Sequence, residues 1–169
     1  MTKKAFVLAV LLCFLIRGTA HSKDFPTAML QGFVRDVYQD YAAEKFAEVY
    51  AVMHPAIHAA LSEAEYVEVQ QHHFARLSLV ISEIEVGEVL ENPRISRSLR
   101  SMLPEDEELQ VYSVDLSYRA QFTSGIRLNQ GVSKTVYVAL ANAGTKDEAL
   151  YLLWDPSFIQ EEVKSDAGD

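Results

Sequence analysis

The stretch "LQVYSVDLSYRAQF", residues 109–122, leaves the chain little freedom. Tyr112, Val114, Leu116, Tyr118, Ala120 and Phe122 alternate with Ser113, Asp115, Ser117, Arg119 and Gln121. Strand side chains point to opposite faces with a period of two, so this pattern describes a strand with one apolar and one polar face. A slip of one residue against a neighbour would turn every apolar side chain to water, so its register is firm. Such a strand needs antiparallel neighbours and a layer that covers its apolar side.

The neighbours are legible. "LVISEIEVGEVL" precedes it, with Val80, Ile84, Val86 and Leu90 expected on one side. "VSKTVYVAL" and "ALYLLW" come after it, set off by turn chemistry in "TSGIRLNQG" and "ANAGTKDE". The covering layer comes from the N-terminal side. Leu30, Phe33, Val34, Val37, Tyr38 and Tyr41 recur at helical spacing, then Phe46, Val49, Tyr50 and Met53 take up a new register. Two helices meeting near "QDYAAEKF" are expected, with Thr27 and Asp40 as their caps. Pro55 restarts the chain and puts His54 at the cap of a new turn. Ser62-x-x-Glu65 is a capping box for a third helix. Its apolar face reads Tyr66, Val69, His73 and Leu77, with Val67 and Phe74 beside it. Helices first and an antiparallel meander second make an α+β domain with N-terminal helices packed on the sheet.

The first twenty residues read as a secretory signal peptide. Lys3 and Lys4 precede the apolar run Ala5 to Ile16, and Gly18-Thr19-Ala20 places small residues before a cut at His21. A lipoprotein signal at Cys13, the only cysteine, fits less well, because Leu12 occupies a position that wants a small residue. One domain over residues 21–160 and a polar tail at 161–169 are expected. Cleavage would remove three of the 15 basic residues and none of the 24 acidic ones, leaving a formal charge of −12. That balance argues against nucleic acid and anionic lipid, whose phosphates need clustered Lys and Arg. It suits solubility, or a basic protein partner. Arg94, Arg97 and Arg100, succeeded by the acids Glu105 to Glu108, read as a solvated loop in preference to an anion-binding stripe.

Helices succeeded by a strongly bent antiparallel sheet resemble the nuclear transport factor 2-like superfamily, a cone-shaped cystatin-like roll. The likeness is carried by "FVRDVYQDYAAEKFAEVYAVMHPAIHAALSEAEY": an aromatic helix, an Asp-Tyr turn, a second helix ending in a His-Pro step, then a capped third helix. "DEALYLLWDP" is similar to the family's closing strand with its tryptophan, and the likeness spans about residues 25–160. It implies a cavity between sheet and helices, where enzymatic members place an Asp or His with a Tyr. The residues expected there are Tyr38, Tyr41, His73, Tyr112, Tyr118 and Trp154. The family includes ketosteroid isomerases, dehydratases, polyketide cyclases and many exported domains without known activity, so only the site can choose among them.

Four of the five histidines, His54, His58, His72 and His73, crowd into twenty residues. They do not make a metal site. Pro55 intervenes between His54 and His58, while His72 and His73 point about 100° apart on a helix. His21 at a new N-terminus has the amine and imidazole to chelate copper, but needs a second imidazole near a chain end. No glycine-rich phosphate loop and no nucleophile elbow appears. The resulting expectation is an exported, non-catalytic binding domain without a cofactor. It would hold a small apolar ligand in the cone, or a protein partner on the sheet. Tyr137 and Tyr151, opposite the main apolar face, are the candidates for a homodimer interface. The alternative is an isomerase or dehydratase-type enzyme using a pocket His and Tyr.

Overall fold

The computed structural model describes residues 27–105, 108–122 and 128–157. The expected signal peptide, His21, the start of the "TSGIRLNQG" turn, Asp106, Glu107 and the polar tail lie outside the described residues, as do both ends of the expected domain.

Helix α1, Thr27–Ala42, buries Leu30, Val34, Val37 and Tyr38 along one stripe. Thr27 is its first residue and not its cap. The chain turns at Glu44, whose φ is 58°, and α2, Phe46–Ala51, buries Phe46, Val49 and Tyr50 in the shifted register. Asp40 does not cap α2, because it lies too early to reach that helix's first N–H groups. Its carboxylate instead accepts from Lys45 Nζ at 2.9 Å, and its carbonyl accepts the Lys45 N–H at 2.9 Å.

Pro55 opens a short helix α3, Pro55–Ala60, and His54 is its cap, with Nδ1 accepting the Ala56 N–H at 3.2 Å. Helix α4, Glu63–Leu77, starts with the capping box. Ser62 Oγ accepts the Glu65 N–H at 3.3 Å, and the Glu65 carboxylate accepts the Ser62 N–H at 3.0 Å. The buried stripe of α4 is Tyr66, Gln70 and Phe74. Relative to the expected face the helix is rotated, leaving Val69, His73 and Leu77 half-buried along its flank. Every third or fourth position admits two neighbouring stripes here, and the one with the two large aromatic rings is the one that packs inward.

Strands β1 (Leu79–Glu91), β2 (Leu109–Phe122), β3 (Leu128–Ala141) and β4 (Ala149–Leu153) form one antiparallel sheet in chain order. The β2–β3 ladder is unbroken from Leu109↔Ala141 to Phe122↔Leu128. The inner face carries Tyr112, Val114, Leu116 and Ala120 of β2 beside Val136 and Val138 of β3, all buried. Helix α1 lies on β1 and β2, and α4 packs on α2 and β1. Beyond β4, Met53 makes a single parallel bridge to Leu152, so the His-Pro step ties the helices to the sheet's last strand.

Strand β1 departs from the expected alternation. Its register slips between Ser82 and Glu85 and again between Val86 and Val89, one extra residue each time. Each bulge reverses the facing of the residues after it. Ile81, Val86 and Val89 therefore turn inward, while Val80 and Leu90, expected beside Val86, are each 51% exposed. Glu83, with φ 53°, sits in the first slip. Bulges at this edge bend the strand and spoil it as a template for pairing with another chain.

The Arg94–Leu103 segment is not only a solvated loop. It contains helix α5, Arg97–Met102, capped by Ser96 Oγ accepting the Leu99 N–H at 3.1 Å. Leu99 is buried against the core, and the Tyr137 hydroxyl donates to the Arg94 carbonyl at 3.4 Å. Arg94, Arg97 and Arg100 stay exposed. Ser113, Tyr137 and Leu153, which share the outer face, are thus covered at one end by the chain itself.

Asp155 anchors this cover. It accepts from Ser96 Oγ at 2.8 Å, from Ser98 Oγ, and from the Ser157 N–H at 3.1 Å. Partial burial opposes its charge, but the Ser98, Ser157 and Ser96 donors outweigh that and hold the carboxyl below its usual range. The stabilisation is therefore complete above about pH 4 and is lost as pH falls through the lowered value. Asp155→Ala is expected to cost about 1–3 kcal/mol in urea unfolding at neutral pH. Asp155→Asn should also flatten the acid limb of the stability profile.

Candidate functional site

A cavity of about 40 Å³ lies between α1, α2, α4 and the inner face of the sheet. Tyr38 and Tyr41 enter it from α1, Tyr66 and Gln70 from α4, Lys134 from β3 and Trp154 from just after β4. Each arrives there for a local reason. Tyr38 belongs to the buried stripe of α1, and Tyr41 comes just under one turn later. Tyr66 and Gln70 are successive members of the inward stripe of α4. Lys134 pairs with Leu116, so it projects from the inner face, between Val132 and Val136.

Aromatic packing fixes the walls. Tyr41, Phe46 and Phe74 meet edge-on, with centroids 5.6, 5.2 and 5.0 Å apart. Tyr66 meets Trp154 edge-on at 5.5 Å, and Tyr118 stacks on Tyr38 at 6.2 Å. Contacts of this kind add about 0.5–1.5 kcal/mol each beyond the area they bury. The Lys134 ammonium sits over the Tyr38 ring, 4.7 Å from its centroid, and 5.9 Å from that of Tyr118.

The polar atoms are less settled than the rings. Tyr41 donates its hydroxyl to Gln70 Oε1 at 2.8 Å. Among the described residues, the hydroxyls of Tyr38, Tyr66 and Tyr118 find no hydrogen-bond partner, and no carboxylate pairs with Lys134. Burial, then the neighbouring tyrosines Tyr118, Tyr41 and Tyr66, raise Tyr38 well above the usual phenol range. Burial also raises Tyr41, Tyr66 and Tyr118, with Tyr118 adding to Tyr41 and Tyr41 to Tyr66. All four hydroxyls therefore keep their protons at neutral pH. Burial lowers Lys134 to about 8. The residue as a whole is exposed, so water tempers this penalty: the ammonium turns in under the rings at the cavity's edge.

The structure brings together Tyr38, Tyr41 and Trp154 on the cavity wall, with Tyr118 stacked beside them. It does not bring in His73 or Tyr112. His73 stays on the flank of α4. Tyr112 is buried further along β2, its hydroxyl donating to Gln110 Oε1 at 2.9 Å. The expectation that His73 is the imidazole turned inward is also corrected: His54 is the buried one, at 1% exposure, held there by capping α3. His58 is half-buried, stacked on Tyr50 at 4.3 Å with Nε2 at 2.8 Å from the Tyr50 carbonyl. Tyr137 and Tyr151 are half-buried within the chain, the latter edge-on to His54 at 5.2 Å.

Three site residues escape a reading of the sequence. Tyr66 reads as packing, and a glutamine at position 70 gives no hydrophobic signal. Lys134 does leave one, since in "VSKTVYVAL" a lysine takes the phase held by Val132, Val136 and Val138. A charge in the inward phase of an alternating strand is a break in pattern that asks for a reason.

Among the described residues, no group of three His, Cys, Asp or Glu is placed to share a metal ion, and no helix is long and apolar enough to cross a membrane. A larger depression of about 470 Å³ lies over Glu85, Asp115, Ser117, Ser133 and Thr135 and also includes Lys134, but it is open and mixed in charge. No family model matches the chain, and no curated protein matches it.

The lysine leaves a signature in stability. Its folded value of about 8 lies below the value near 10 of an unfolded lysine, so between those limits the unfolded chain binds more protons. The native protein should therefore gain stability relative to Lys134→Met as pH rises from about 8 to about 10, and the two should run parallel below that window. Thermal melts across this range check the sign. Separately, Tyr41→Phe should lower stability by about 1 kcal/mol through the lost bond to Gln70.

Proposed function

We propose that this protein is an exported, nuclear transport factor 2-like domain that acts by binding a small ligand, without catalysing a reaction. One observation carries the reading: a walled cavity lined by two tyrosines, Tyr38 and Tyr66, and a lysine whose polar groups have no protein partners among the described residues, with the Tyr118 ring stacked alongside. Convergent polar groups in an otherwise aromatic pocket are how small-molecule sites fix orientation. The family assignment is supported by the order of helices before the antiparallel sheet, and by the His-Pro step that leads into α3. Export rests on the N-terminal sequence pattern alone.

The dimensions favour a ligand of a few atoms over the broad apolar one expected from the family likeness. A water needs about 10–15 Å³ of such space, so about 40 Å³ takes roughly three atoms. The isomerase or dehydratase alternative is less well supported, because His73 is not on the cavity wall and no carboxylate lines it. Pairing with a second copy, or with a basic protein, is part of the same proposal. The outer-face end left open by α5 offers Asp115, Ser117 and Thr135 for it.

Native mass spectrometry on protein purified from its exported fraction tests the reading. A retained small non-protein mass, lost in Tyr38→Phe and Lys134→Met but kept in His73→Ala, is the expected result. Turnover of a small carbonyl compound that depends on His73 would overturn it.

A further inference from the structure

We infer that Lys134 and the tyrosine hydroxyls around it form a binding site for a small carboxylate monoanion of the size of formate or acetate. This rests on the binding reading above and names the class of ligand. The cavity's donors are unmatched by acceptors. Among the described residues, the lining polar groups without a protein partner include the ammonium of Lys134 and the hydroxyls of Tyr38 and Tyr66, with that of Tyr118 alongside. The Tyr38 and Tyr66 side chains are more than nine-tenths buried. The one acceptor among the lining amide and carboxyl side chains, Gln70 Oε1, is already taken by Tyr41.

A cation alone would meet a second positive charge, and a neutral apolar molecule would leave three donors unmatched. A carboxylate meets both demands at once, offering lone pairs to the hydroxyls and a charge to the ammonium. The tyrosine rings add to this. They hold Lys134 over their faces, so the cation is kept in place before the anion arrives. Size selects the smallest members, because room for about three atoms takes a carboxyl group and little more.

Charge elsewhere does not compete. From α1 the groups facing Lys134 are Tyr38 and Tyr41, from α4 Tyr66, and from β2 Tyr118, all neutral donors. Asp115 and Glu85 on the neighbouring strands line an open depression that Lys134 also borders, but their pairing with Thr135 and Ser117 sets them on the opposite face, and neither makes an ion pair with it. Lys134 is thus the one titrating group that controls the site, and affinity should fall about tenfold per pH unit once the ammonium loses its proton.

The test is an NMR titration of the full-length purified protein with formate, and with formamide as its neutral twin, tracking the Lys134 side-chain amine and the tyrosine rings. Saturable formate binding is expected, with the Lys134 titration moving to higher pH and formamide having no comparable effect. Lys134→Met should weaken formate binding by about ten- to hundredfold, and Tyr38→Phe by a smaller factor. The Lys134 signal of the unaltered protein reads the same interaction independently, should the methionine variant fold poorly. Formate and formamide binding alike, or formate binding that survives Lys134→Met, would overturn the carboxylate assignment and leave the binding cavity standing. Neither compound entering, with the tyrosine rings unmoved by both, would overturn the assignment and the binding reading together.

Discussion

The inner face of β2 governs the rest of the molecule. Its alternation fixes the β2–β3 ladder at fourteen consecutive pairs, from Leu109↔Ala141 to Phe122↔Leu128. Once Leu116 is inside, its partner Lys134 must be inside too, because residues directly opposite in an antiparallel pair share a face. The register sets its Cα on the inner face, and its long side chain stays partly in water at the cavity's edge. Tyr118 obeys the same constraint and supplies the ring against which Tyr38 stacks. The candidate site is therefore a consequence of register, and not a decoration on a finished fold.

That placement works against stability. An ammonium drawn under aromatic rings loses hydration, and cation–π contact restores only part of it. Around them the structure is well satisfied: the capping box at Ser62, the His54 cap, the Tyr41–Gln70 bond and the Asp155 anchor all have their partners. A lysine in the inward phase of an alternating strand, among side chains that otherwise obey local rules, is the pattern expected of a site that holds something.

Much of this is legible in the chain itself. The break between α1 and α2, the capping box, the His-Pro step and the facing of β2 come from local chemistry, since each depends on residues within a few positions of one another. The features that the sequence conceals depend on partners distant along the chain. The bulges of β1 arise where it must stay paired with β2 while lying under α1, whose Gln31 donates to the Gly87 carbonyl at 2.7 Å. The rotation of α4 is set by Phe74 packing on Tyr41 and Phe46, residues of two other helices. The Arg94 segment reads as solvated loop because its one buried residue, Leu99, has its packing partners elsewhere in the chain.

The sequence by itself determined the class of fold, the order of layers and the register of the central strand, because periodicity and caps act over short range. The family likeness, not the residue pattern, suggested one cavity for Tyr38, Tyr41, His73, Tyr112, Tyr118 and Trp154. Only the tertiary structure decided that His73 and Tyr112 stand apart while Tyr66, Gln70 and Lys134 join the wall. The reason is geometric. A helix stripe can rotate to its neighbour at little local cost, and a strand shows its charge in the inward phase without showing what lies above it. Both questions are settled only when the helices come down on the sheet.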